Sequence, residues 1–201
     1  MRNIFLTMGL VALGSVSAST SVSDHDSYRS FCLSAANNPK VFYNFKQNWA
    51  YTEILEHLGK EAGQRYLDYI SKYYPHLLQD FKKFQENDRL GSPLVFHYPT
   101  IGVTGPTTLR YVKVLGDLES NFGNLTSKKI IEIGGGYGGQ CLVVSKACNF
   151  EKYCIVDLPE PMMLAKKYLN SHSVANFQCL NPDDLRGQES WDLVISNYAF
   201  S

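Results

Sequence analysis

The reading of this chain turns on Lys129-Ile130-Ile131-Glu132-Ile133-Gly134-Gly135-Gly136-Tyr137-Gly138-Gly139. Ile130 to Ile133 is a short β-branched run, long enough for a buried strand and too short for a buried helix. The glycines that follow at 134, 136 and 139 have the Gly-x-Gly-x-x-Gly spacing of a turn that opens a helix. In such a turn side chains are missing so that backbone N–H groups can approach a ligand at the helix N-terminus. The rhythm continues downstream. Gly139 to Cys148 reads as a helix, Tyr153 to Val156 as a second strand and Pro161 to Leu169 as a second helix. Phe177 to Leu180 is a weaker third strand and Asp192 to Ser196 a strong fourth one. Short apolar strands alternating with helices predict a parallel sheet with helices on its faces, joined by right-handed crossovers.

The charge placed in this turn narrows the ligand. Glu132 ends an otherwise apolar strand, where a carboxylate is costly unless a cation or hydrogen-bond donor meets it. A dinucleotide would bring its anionic pyrophosphate to this loop, and Glu132 would repel it. S-adenosylmethionine reverses the sign, because it offers an α-ammonium group and a sulfonium centre and has no phosphate. Glu132 then serves the amino-acid end, Gly134, Gly135 and Gly136 allow close passage of the methionine and ribose, and Tyr137 either lies over the ligand or fills the loop. Asp157 ends the second strand, where nucleotide-binding sheets place an acid against ribose hydroxyls. Asn181-Pro182-Asp183-Asp184 follows the third strand, and Asp183 or Asp184 there is placed to accept from the adenine amine. Two other classes stay open on the residues: an NAD-dependent oxidoreductase, against which Glu132 argues, and an exported or degenerate cofactor-binding module without turnover.

Working outward, Tyr28 to about Asn87 has helical periodicity, with Phe45, Trp49, Leu55 and Leu58 on one run, Tyr66, Tyr69, Ile70 and Tyr73 on the next, and Leu77, Leu78, Phe81 and Phe84 on a stripe opened by Pro75. Gly91 to Pro106 is a turn-rich connection with a short strand at Leu94-Val95-Phe96. Pro106-Thr107-Thr108 opens an amphipathic helix that runs to Gly123. The expected organisation is a helical region over 28–123 and a cofactor-binding half domain over 124–201. Residues 19–27 read as a linker. Met1 to Ala18 has the layout of a secretory signal, which predicts export to the periplasm or beyond; an unused leader would leave the protein in the cytoplasm. That apolar stretch is too short for a membrane span.

Composition excludes more than it selects. Lysine and arginine number 19, as do aspartate and glutamate, so no net field draws the chain to nucleic acid or to an anionic membrane. The five cysteines, Cys32, Cys141, Cys148, Cys154 and Cys179, contain no Cys-x-x-Cys pair, and no metal site is expected on them. His97 is a candidate base, Arg110 a candidate for a sugar or carboxylate, and Asn197 and Tyr198 candidates for the acceptor side. None of these residues is singled out as catalytic. Asn124-Leu125-Thr126 is a glycosylation sequon, read here as an unmodified loop.

Three segments together, Ile131 to Gln140, Ile155-Val156-Asp157-Leu158-Pro159-Glu160 and Asp192 to Ser201, resemble the sugar O-methyltransferase family, and the likeness extends upstream through Pro106-Thr107-Thr108-Leu109-Arg110-Tyr111 to about Tyr28. The resemblance implies a class I, Rossmann-like methyltransferase domain behind a helical region, S-adenosylmethionine as cofactor and a saccharide hydroxyl as acceptor. It also implies a sheet of seven strands. The sequence ends just past the fourth, so the expected fold is an incomplete class I sheet, and the expected activity that of a fragment.

Overall fold

The computed structural model describes residues 26–185 and 190–197; the leader at 1–18, Ser19 and Tyr198 lie outside them. The chain enters through α1 (Asp26–Asn37), two residues before the expected start of structure, and continues through α2 (Pro39–Phe42), a 3-10 turn at Phe45–Gln47 and α3 (Trp49–Thr52). The helical pattern read from Tyr28 onward is thus divided into short pieces, and asparagines stand at two of the breaks. Asn38 and Asn48 leave helical geometry, and their side chains accept from the backbone N–H of Lys40 and Ala50. An asparagine so placed caps the next helix better than it extends the last one.

After α4 (Lys60–Tyr73), the stretches Pro75–Leu78 and Phe81–Asp88 wind as 3-10 turns, so the Phe81 and Phe84 stripe is buried by a tighter coil than expected. A hairpin follows. Its strands are β1 (Phe96–Tyr98), slightly later than Leu94-Val95-Phe96, and β2 (Gly102–Thr104), paired antiparallel. Next comes α5 (Pro106–Phe122), with Pro106 in its first turn and Gly123, at φ 73°, just past its end.

The alternation read from the second half is observed. β3 (Lys129–Ile133), α6 (Gly139–Ala147), β4 (Lys152–Val156), α7 (Pro159–Ser171), β5 (Phe177–Leu180) and β6 (Leu193–Ser196) build a four-stranded parallel sheet in the order β5-β4-β3-β6. This is a Rossmann-like α/β fold preceded by a helical layer. Ile130, Tyr153, Ile155, Leu193 and Ile195 on one sheet face join one continuous core with α1, α4, α5, α6 and α7. Ile131, Cys154 and Val156 on the other face pack with Leu180, Leu185 and Trp191 from β5 and the β5–β6 connection. Consecutive right-handed crossovers through α6 and α7 cover one face, and the return past β3 to β6 has to use the other. Among the described residues, no helix is long and apolar enough to cross a membrane, and the five cysteines are free.

Candidate functional site at the carboxyl ends of the central strands

The strand order places the chemistry. The connections leaving β3 and entering β6 lie on opposite faces, so their carboxyl ends flank a crevice, the place where open parallel sheets bind ligands. Register brings Glu132 and Ile133 of β3 beside Ile195 and Ser196 of β6, and Ile155 and Val156 of β4 on the other side. The Gly134 N–H donates to Val156 O at 2.8 Å, which fixes the turn onto β4. Gly136 N–H donates to Asp157 Oδ2 at 2.8 Å, and Leu158 N–H to Asp157 Oδ1 at 2.7 Å. Asp157 thereby ties the glycine turn to the start of α7, and burial raises its carboxyl above the usual range.

Glu132 is 2% exposed. Burial pushes its carboxyl up to about 7, and the neighbouring Asp157 adds to the rise; the Tyr153 hydroxyl and the Asn197 side chain oppose it. Tyr153 donates to Glu132 Oε2 at 2.9 Å. The Asn197 amide nitrogen lies near without an aligned hydrogen bond among the described residues. The acid lies close under the turn, since a Cβ at Gly135 would sit 3.2 Å from Glu132 Oε2 and 2.8 Å from Ile155 Cγ2.

Gly136 has a different reason to be glycine. Its φ is 55°, and a Cβ there would meet Leu55 Cδ1 at 2.7 Å. What occupies that space is the chain's own leucine, from the segment after α3, which roofs the turn. A side chain at 136 would first displace Leu55. Arg110 of α5 is nearly buried and donates to Leu55 O at 3.4 Å, on the underside of the same roof.

Tyr137 is wholly enclosed. Its hydroxyl approaches Glu56 Oε1 at 3.1 Å and Asn87 Oδ1 at 3.3 Å. Tyr168 of α7 donates to Asn87 Oδ1 at 2.9 Å and to Asn87 O at 3.0 Å. The buried Lys46 ammonium sits 4.4 Å from the Tyr137 ring centre and 5.1 Å from that of Tyr168, donating to Asn87 O. Desolvation lowers its pKa. Tyr137 thus anchors the loop to the helical layer.

The remaining sequence candidates scatter. His97 is exposed on the hairpin. Asp183 falls in the 3-10 turn Pro182–Leu185, with its side chain outside the described residues; nearby Asn181 donates to Asp184 at 3.1 Å. Asn124 accepts from Thr126 N–H at 2.8 Å in a local turn. Among the described residues, no group of three or more metal-ligating side chains gathers. Sequence reasoning missed Tyr153, although it shares the Glu132 face of the sheet, and also missed Lys46, Asn87 and Tyr51, which meet residues distant in the chain.

Compared with known protein families and with curated proteins, the chain matches none. Among solved structures it is similar to the YcgJ protein from Bacillus subtilis, at 18% identity and a TM-score of 0.37, over 45% of this chain and 38% of that one. It is also similar to an Ael1 enzyme from Pseudomonas putida, at 18% identity and a TM-score of 0.42, over 61% of this chain and 46% of that one. The chain therefore spans less than half the length of either match.

Proposed function

We propose that the chain binds S-adenosylmethionine at the turn between β3 and α6 and serves methyl transfer to a saccharide hydroxyl. The observation that carries the cofactor reading is Glu132, a carboxylate buried against the glycine turn at the crevice, with Asp157 beside it at the end of β4. Two acids at this point disfavour a pyrophosphate and favour an ammonium and a ribose. Glu132 holds the amino-acid end, Asp157 accepts from ribose hydroxyls, and the backbone at Gly134 and Gly135 gives the ligand passage beside the Leu55 roof over Gly136. The cofactor supplies the electrophilic methyl group. The saccharide rests on the family resemblance in the Ile131–Gln140, Ile155–Glu160 and Asp192–Ser201 segments.

Calorimetric titration with S-adenosylhomocysteine and, separately, with NADH tests the cofactor. Binding of the first alone is the expected result, and binding of NADH alone would overturn the reading. Labelled methyl transfer to a pool of saccharides, set against a pool of phenols and carboxylic acids, tests the acceptor. Transfer only to the second pool would remove the sugar assignment.

A further inference from the structure

Tyr51 of α3 is 0% exposed, packed between the rings of Tyr28, Phe45 and Tyr137. Its hydroxyl is nevertheless without any hydrogen-bond partner among the described residues. Buried hydroxyls are nearly always paired, and phenylalanine would fill the same space with no polar atom left to satisfy. The orphan oxygen is at the candidate site. It lies 3.9 Å from the position a Cβ would take on Gly136, while Glu132 Oε2 lies 3.2 Å from the corresponding position on Gly135. Two consecutive residues without side chains are therefore attended by an acid from β3 and by a phenolic donor from the helical layer. The Arg110 guanidinium reaches the same roof at Leu55 O.

An acid and a donor with a cation close by complement the two ends of a zwitterion. An α-amino acid carries its ammonium and its carboxylate on one carbon, so both must be met within a few ångströms.

We infer that the Tyr51 hydroxyl is a binding group of this site, donating to the carboxylate of an α-amino-acid end whose ammonium faces Glu132. The inference rests on the S-adenosylmethionine reading and extends it to a residue outside the sheet. The helical layer then contributes to ligand recognition as well as to the fold.

The test compares the 201-residue chain with its Tyr51→Phe variant, titrated with S-adenosylhomocysteine and with 5'-methylthioadenosine, which keeps the nucleoside and sulfur and lacks the amino-acid end. Loss of a hydrogen bond to a charged group should weaken S-adenosylhomocysteine by about tenfold or more. Affinity for 5'-methylthioadenosine should stay within about twofold, since the lost bond is not made to that ligand. The ligand-free variant should melt no lower than the parent, since only an unsatisfied hydroxyl has gone. Equal affinity of both chains for S-adenosylhomocysteine would overturn the role of Tyr51 and leave the cofactor reading standing. An equal loss for both ligands, or a lowered melting temperature, would mark Tyr51 as structural and also overturn it. Failure of the parent chain to bind S-adenosylhomocysteine would remove the cofactor reading and this inference with it.

Discussion

Glu132 carries the most pH-sensitive consequence. Its ordinary value of 4.5 is raised to about 7 by burial. The folded state thus holds the proton more tightly than the unfolded one, and the contribution to stability is fully present below about 4.5 and lost as pH rises through about 7. The full loss amounts to about 3 kcal/mol. Glu132→Gln keeps an acceptor for Tyr153 and removes the charge, so at pH 8 the ligand-free variant should melt higher than the parent, with the gap closing toward pH 5. Ligand affinity should move the other way. An ammonium prefers the ionised acid, so S-adenosylhomocysteine should bind the parent more tightly as pH rises through about 7, and the glutamine variant should lose that slope. Thermal melts and titrations across this range check both. Asp157→Asn adds an independent reading, because one amide oxygen cannot accept from Gly136 and Leu158 as two carboxylate oxygens do. A loss of about 1 to 2 kcal/mol in urea unfolding is expected, together with weaker binding.

At the scale of elements, Asn87 is a junction. It accepts from Tyr137, Tyr168 and Lys46, and its amide donates to Thr108 Oγ1 at 2.8 Å. Asn87→Ala removes one of two acceptors from each of two buried tyrosine hydroxyls, Tyr137 keeping Glu56 Oε1 and Tyr168 keeping the carbonyl of residue 87, and should cost about 1 to 2 kcal/mol. Lys46→Met should be neutral or stabilising by about 1 kcal/mol, because the carbonyl of Asn87 keeps the Tyr168 donor and a buried charge is replaced by an apolar chain of similar shape. Urea unfolding of the two variants should therefore diverge, and equal losses would contradict the assignment. The strands and helices after Lys128 were legible because their signals are local: β-branched runs, a glycine turn, and a proline near a helix start, although α7 begins at Pro159 and not at Pro161. The site was half legible for the same reason. Glu132 and Asp157 stand out against apolar strands, whereas Tyr51, Tyr153 and Asn87 matter through residues far off in the chain. The 3-10 winding at Phe81–Asp88 escaped because an i, i+3 apolar spacing suits both kinds of helix.

For the molecule as a whole, the helical layer and the sheet share one hydrophobic core, and they should melt together. The two tryptophans make this measurable. Trp49 lies in the helical layer and Trp191 packs beneath the sheet. Trp49→Phe and Trp191→Phe variants, each with one tryptophan left and excited selectively at its red edge, should report the same urea midpoint once the small stability change of each substitution is allowed for through circular dichroism. Separate midpoints would mean that the layers unfold independently.

The Tyr137 anchor bears on how such a chain can diversify. The side chain that locks the loop to Asn87, Glu56 and Lys46 sits inside the glycine turn itself, between Gly136 and Gly138. A helical layer exchanged for another by recombination would arrive without the matching asparagine and lysine, stranding a phenol in the middle of the ligand loop. Transplanting either half therefore requires Tyr137 and Tyr168 to be rewritten with the graft. Chimeras that retain both tyrosines against a foreign layer should be recovered as insoluble protein, and those with phenylalanine at both positions as soluble protein.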